Sequence, residues 1–348
     1  MAPAISLLDL APIPAGSSAR ASFAASVELA RAAERTGYRR VWYAEHHNMA
    51  SIASSATSVL IGHVAAQTET IRVGAGGIML PNHAPLVIAE QFGTLETLFP
   101  GRIDLGLGRA PGSDRNTMLA LRRNPTSADS FASDVLELYG YLSGRSLVSD
   151  VQAVPRAEQP VPLYLLGSSL FGAQLAAQLG LPYAFASHFA PDALHQAVEV
   201  YRSTFRPSEH LAEPYVIAGA NVFAADDHDT AERQRTIAYR ARTRAMLTRG
   251  VPGPDFTDAE IDAFLASPNG NGLAGMTRYT AVGTPDEVRH YLMEFAASAR
   301  ADELIVAHHA SEVADRIRSV ELTGIAMSAT VDPPVLQDRA WTRPKSRT

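Results

Sequence analysis

A chain of 348 residues with no cysteine can form no disulfide, no thiolate metal site and no cysteine nucleophile, a usage that fits a reducing, cytoplasmic setting. A hydrophobic fraction of 46% is ample for a large core, whereas 19% charged residues and a net charge of −6 give no electrostatic basis for binding nucleic acid or an anionic membrane. The N-terminus, MAPAISLLDLAPIP, lacks the basic segment and long apolar run of a secretory signal, and no window approaches the roughly 18 apolar residues that a membrane helix needs.

Short apolar runs alternate with amphipathic stretches. Residues 4–8 form the first strand candidate; 21–37 follow with helical spacing and Gly37 as a C-terminal stop. The strand candidate 39–44 precedes the helix candidate 55–69, and 71–80 precedes 85–99, with Pro85 suited to a first helical turn. Strand 102–108 leads through a Gly/Pro/Arg-rich excursion to helix 127–142. The second half repeats the rhythm: 161–167 then 169–180, 182–187 then 191–205, 215–223 then 227–247, and 303–308 then 311–324. Eight near-continuous apolar strands, nearly all followed by a helix, predict a parallel sheet covered on its outer side. Eight such units over residues 1–330 suit an α/β fold of the (β/α)8 TIM-barrel type, which needs about 250 residues before insertions.

Two segments are extra. Residues 143–160 are polar and predict a connector or small hairpin. Residues 248–276 carry Gly, Pro and Asn near both ends and read as a loop with one short helix, a candidate lid. A further helix, 284–299, precedes the last strand. The tail 331–348, with two adjacent prolines and a basic end, predicts disorder.

The stretch GRIDLGLGRAPG (101–112) crowds glycines at the end of an apolar strand. It is not the dinucleotide fingerprint, because Gly106 and Gly108 are followed by Gly112, one residue too far, and no G-K-[ST] follows to make a P-loop. What remains is a strand that ends in glycine and presents one cation, Arg109.

In a (β/α)8 barrel the active site lies at the C-terminal strand ends. Those ends offer Asp9; Glu45, His46 and His47; Gly76, Gly77, Asn82 and His83; Arg109; Ser168 and Ser169; Ser187 and His188; Asn221; and His308 and His309. Adjacent histidines on a strand point to opposite faces, so only one of His46 and His47 can face the cavity; His46 is the catalytic candidate. Glu45 serves to orient a neighbour or pair with a basic side chain. Gly76-Gly77 is either an ordinary bend or a place where something flat approaches the backbone. His308 and His309 suit rim or lid contacts. Arg109 with Ser168, Ser169 and Ser187 makes a phosphate site, since GSSLFG opens a helix with free N–H groups and hydroxyls and arginine adds a bidentate contact. The alternative for Arg109 is a surface pair with Asp104 or Asp114. No catalytic metal is expected: the histidine pairs are HH, not H-x-H, and no H-E-x-x-H occurs.

Three stretches, GYRRVWYAEHHNM, IRVGAGGIMLPNHAPLVIAEQFGTLETLFPGRIDLGLGRAPG and YTAVGTPDEVRHYL, resemble the bacterial luciferase-like family of flavin-dependent monooxygenases, over about residues 5–324. The resemblance implies a (β/α)8 barrel, reduced flavin mononucleotide (FMN) supplied by a separate flavin reductase, molecular oxygen and a homodimer. It implies that His46 is the acid/base near the flavin and that Gly76 and Gly77 are joined by a non-prolyl cis peptide behind the ring. By the same resemblance Arg109 holds the flavin phosphate, with Ser168, Ser169 and Ser187 as its other contacts, and 248–276 is the mobile active-site loop. Two departures, Gly108 where light emitters have cysteine and Ser168 where they have an acidic residue, point away from luminescence. The block SLLDLAP…EHHNMASIASSA resembles the single-chain, non-luciferase branch, which implies a small organic metabolite such as a polyketide as substrate. The rivals are a deazaflavin (F420) hydride-transfer enzyme on the same barrel and a catalytically silent flavin-binding accessory protein.

Overall fold

The computed structural model describes residues 2–14, 16–110, 114–248 and 256–328. Eight parallel strands close into a barrel: β1 (Ala4–Asp9), β2 (Arg40–Tyr43), β3 (Arg72–Met79), β4 (Ile103–Gly108), β5 (Leu163–Gly167), β6 (Tyr183–Phe185), β7 (Val216–Ala224) and β9 (Glu303–His308). Neighbours follow chain order from β1 to β6, β9 lies between β1 and β7, and β6 pairs with β7 to complete the circle. All eight are legible in the sequence as apolar runs.

A ninth strand, β8 (Thr280–Gly283), is not anticipated by the sequence. It pairs with the far half of β7, Asn221↔Thr280 to Ala224↔Gly283, where pairing with the three-residue β6 has already ended at Ala218. Four residues with one buried face give too short a pattern to read. The following T-P-D-E is plainer: Thr284 and Glu287 form a capping box at the start of α11 (Pro285–Ala299).

The helices α1 (Ala19–Arg35), α2 (Thr57–Ala65), α3 (Pro85–Leu98), α4 (Arg115–Ala120), α5 (Phe131–Ser143), α6 (Leu170–Leu179), α7 (Leu194–Thr204), α8 (His228–Leu247) and α12 (Val313–Ser328) flank the barrel. Gly37 takes φ +82 just past α1, the left-handed conformation that suits a helix stop. Residues 144–162 form a connector without strands, so the hairpin alternative is set aside. The described part of the segment 248–276 contains two helices, α9 (Asp258–Leu265) and α10 (Pro268–Met276), rather than one. Residues 249–255 of that segment, Gly112 and the tail 331–348 lie outside the described residues.

Side-chain parity sorts the barrel into two cores. The larger fills the space between strands and helices, including Leu7, Val41, Tyr43, Val73, Leu105 and Leu107. The smaller, Leu8, Trp42, Ala44, Tyr164, Ala184, Ile217, Ile305 and Ala307, faces the barrel axis. One layer further toward the N-terminal ends, the same parity brings Ser6, Arg40, Asp104 and Glu303 inside, all fully buried. Arg40 reaches Asp104 at 2.7 Å and Glu303 at 2.9 Å, while Arg72 holds the other Asp104 oxygen at 2.6 Å. Burial alone would raise the Asp104 carboxyl, but Arg40 and Arg72 outweigh it and hold the group below the ordinary carboxylate range. This ionic plug closes one end of the barrel and leaves the chemistry to the other.

Candidate active site at the barrel mouth

The same period of two, continued past the strand ends, selects which rim residues turn inward. From Arg40 and Trp42 it reaches His46; from Glu303 and Ile305 it reaches His309; from Ile217 it reaches Asn221. The histidine pairs accordingly part. His308 turns outward, with Nδ1 2.7 Å from the Ser319 hydroxyl and Nε2 3.2 Å from that of Tyr38. His309 turns inward, with Nε2 2.8 Å from Asn221 Oδ1. The Asn221 amide nitrogen donates to the His188 carbonyl at 2.8 Å, so its oxygen faces the ring and His309 Nε2 carries the proton.

His46 and His47 separate in the same way. His47 Nε2 lies 2.8 Å from Glu45 Oε1, and His83 Nε2 lies 2.9 Å from the same atom. The other Glu45 oxygen accepts from the Met79 N–H at 3.0 Å. Glu45 is thus a buried clamp that ties the rim of β2 to that of β3. Burial would raise its pKa, but the bonds from His83, His47 and Met79 keep it lowered. His46 is left with a buried Nδ1 that has no partner among the described residues, and its backbone N–H donates to the Ser54 carbonyl at 2.9 Å. Burial pushes the His46 imidazolium down, with His47 adding and Glu45 opposing, so the ring is neutral at neutral pH.

Beside this clamp the Gly76-Gly77 peptide is cis. The β3–β4 register shifts between Ala75 and Ile78, so the two glycines stand opposite Gly106 alone. A Cβ on Gly77 would lie 2.7 Å from the Gly106 carbonyl oxygen, and one on Gly76 would lie 2.8 Å from Trp42 Cβ. The glycines of GAGG and LGLG therefore let two strands and the Trp42 indole approach closely. Gly77→Ala is expected to cost about 1–3 kcal/mol by overpacking against backbone, read as a lower thermal midpoint; an unchanged midpoint would mean that β4 yields freely. At Gly108, a Cβ would meet the Met79 sulfur at 2.9 Å, so Met79 occupies the place of any side chain there.

Arg109 leaves β4 at the rim. Its guanidinium lies over the Phe171 ring at 4.2 Å, and Nε donates to the Ala128 carbonyl at 3.3 Å. The alternative surface pairs do not form: Asp104 is spent on Arg40 and Arg72, and Asp114 caps α4 and accepts from Asn48 at 3.0 Å. Among the described residues Arg109 has no carboxylate partner. Phe171 belongs to α6, so Arg109 stands at the start of that helix, whose N-cap Ser169 makes no side-chain capping bond. Ser168 and Ser169 are exposed. An uncapped helix N-terminus, two exposed hydroxyls and a cation are the elements of an anion site. Ser187, expected beside them, stands apart: it is fully buried and donates to the Gly219 carbonyl at 2.7 Å, so it has no donor left for a phosphate.

Among the described residues no group of three His, Asp or Glu could hold a metal ion, and no helix is long and apolar enough to cross a membrane. Sequence reasoning names His188, Asn221 and His309 as strand ends without joining them. The signal that joins them is parity along each strand: His188 with Ala184, Asn221 with Ile217, and His309 with Glu303 and Ile305.

The family model for luciferase-like monooxygenases matches residues 4–325. A luciferase-like monooxygenase of Escherichia coli K12 is 51% identical over 322 residues, covering 92% of this chain and 95% of its own. The crystal structure of apo-MsnO8 superposes with a TM-score of 0.83 at 35% identity, covering 94% of this chain and 99% of that one. A more distant fold relative is the oxygenating constituent of 3,6-diketocamphane monooxygenase from Pseudomonas putida in complex with FMN. Its TM-score is 0.68 at 19% identity, covering 94% of this chain and 98% of that one. The protein belongs to the luciferase-like monooxygenase family.

Proposed function

We propose that the protein is a monooxygenase that uses reduced FMN, delivered by a separate flavin reductase, and molecular oxygen to oxygenate a small organic metabolite. The carrying observation is Arg109, without a carboxylate partner among the described residues, stacked on Phe171 beside the uncapped start of α6. Arg109, Ser168 and Ser169 would hold the flavin phosphate through charge-assisted bonds and helix N–H groups. Gly76 and Gly77 would border the ring, and the orphaned Nδ1 of His46 is a buried polar atom that a ligand could satisfy. Reduced FMN, when bound, would supply the two electrons that, with two protons, turn O2 into one oxygen atom for the substrate and one water.

The chain's own residues do the rest. Glu45 fixes the loop that carries His46, and burial keeps the His46 ring neutral and able to take a proton. The lid assigned to 248–276 would exclude water; its α9 is tethered to α8 by Arg240 to Asp262 at 2.5 Å and Arg244 to Asp258 at 2.8 Å. Exposed apolar side chains on neighbouring helices, Val59 of α2 and Val87 and Leu98 of α3, support a homodimer.

The test is isotopic. A metabolite extract incubated with the protein, reduced FMN and heavy-isotope oxygen gas should yield a product carrying one labelled atom. Substrate consumed with reduced F420 and without label would replace oxygenation by hydride transfer, and no consumption with either cofactor would leave an accessory role.

A further inference from the structure

Across the mouth from Arg109 lies a second cation that the flavin reading does not use. Helix α8 follows β7 and turns one face to the barrel. On that face the Tyr239 hydroxyl lies 3.1 Å from Thr280 Oγ1, its ring lies 6.0 Å from Phe223, and Thr243 is buried. Arg242 sits three residues after Tyr239, one turn further along the same side of the helix. It is half-buried, and no hydrogen bond or carboxylate among the described residues holds its guanidinium.

This face of the helix lies toward the inward histidines: Phe223 packs against both Tyr239, one turn before Arg242, and His309. The Arg242 charge is felt by both His188 and His309, which flank β7 at the ends of β6 and β9. Burial, with Arg242 adding to it, pushes His188 down to about 4 and His309 down to about 3. His46 also acts on His188, which places the catalytic candidate within range of the same cluster. The His188 ring covers Gly219, where any Cβ would strike it, and its Nδ1 is buried without a partner among the described residues. His309 is locked by Asn221 at 2.8 Å, and Phe223 packs 6.2 Å from it.

Arg316 also acts on His309, but Asp9 and Glu312 act on Arg316 in turn; with the histidines neutral, Arg242 is the cation of this cluster that no carboxylate offsets among the described residues. A desolvated cation without a counter-ion is unfavourable unless a ligand brings one. One planar guanidinium matches one carboxylate in charge and in geometry, and its fork favours bidentate contact. The anion site at Arg109 stands on β4, three strands round the barrel from β7, so the two cations serve different groups.

We propose that the organic substrate is an acid, bound by its carboxylate to Arg242 against His188 and His309, with its reacting carbon directed toward the His46 side of the mouth. The proposal rests on the monooxygenase reading for the role of this ligand, but the binding site can be tested without flavin.

Three acids of different shape, octanoate, benzoate and N-acetylmethionine, would each be titrated calorimetrically against the flavin-free protein beside the matching amides. At least one acid should bind about tenfold or more tightly than its amide, the preference of a charge-assisted bond over a neutral one. In Arg242→Gln that preference should vanish, in Arg242→Lys it should return in part, and FMN affinity should stay unchanged in both. Neutralising the charge should also raise the His188 and His309 pKa values followed by NMR, which confirms the placement in a folded variant. Three outcomes overturn the proposal: acids and amides that bind alike or not at all, an acid preference that survives Arg242→Gln, or a variant that loses FMN in place of the acid. Failure of the parent protein to bind FMN would instead strike the monooxygenase reading, because the acid preference is measured apart from it.

Discussion

Arg109→Ala is expected to weaken FMN roughly tenfold to a hundredfold and to leave riboflavin nearly unaffected, since a charge-assisted hydrogen bond contributes about 1.5–3 kcal/mol. The contrast isolates the phosphate, the only part of FMN that riboflavin lacks. Arg109 is held ready for such a contact, because Phe171 supports the guanidinium face at 4.2 Å and the Ala128 carbonyl takes one N–H. Because both acidic side chains that could have captured it are bound elsewhere, removing it breaks no ion pair among the described residues, and folding should be preserved. Paired titrations of the two flavins by fluorescence would read the effect. Equal losses for FMN and riboflavin would show that the arginine does not meet the phosphate.

His46→Ala should lower the oxygenation rate by about 10²–10⁴-fold, the usual contribution of a positioned acid or base. FMN affinity should change little, because no phosphate contact is removed. The parent enzyme should also show a distinctive pH profile. A neutral base loses function as it is protonated, and burial lowers the His46 pKa, so activity should persist below the 6.5 of an ordinary histidine before it falls. That acid limb should be missing from the residual rate of the alanine variant. Turnover and pH profile both unchanged would remove the role assigned to His46.

The barrel is legible because parallel strands buried on both faces read as continuous apolar runs, and all eight barrel strands stand out. Strand β8 does not, because its four residues exist as a strand only through pairing with β7 beyond the end of β6, a contact no local pattern encodes. The ionic plug is hidden for the opposite reason: Arg40, Asp104 and Glu303 look like surface charges in sequence, and only barrel closure brings them together in the interior. At the mouth, strand-end position finds the candidate residues, but parity decides between them. The rule that adjacent histidines face opposite ways separates His46 from His47. Applied equally to His308 and His309, it finds the inward ring. Ser187 is misplaced by sequence because a small polar residue at a strand end reads the same whether its hydroxyl meets a ligand or a neighbouring carbonyl.

Trp42 provides the most direct test of the flavin site. Its indole is buried inside the barrel, bonded to Asp104 at 3.1 Å, and its Cβ lies where a Gly76 side chain would be. In a Trp341→Phe background it is the only tryptophan in the chain. Titrating FMN into that protein should quench Trp42 emission saturably with one flavin per chain, and Arg109→Ala should shift the curve to higher concentration without changing its end point. Emission unchanged at every FMN concentration would contradict a flavin bound at the glycine pair.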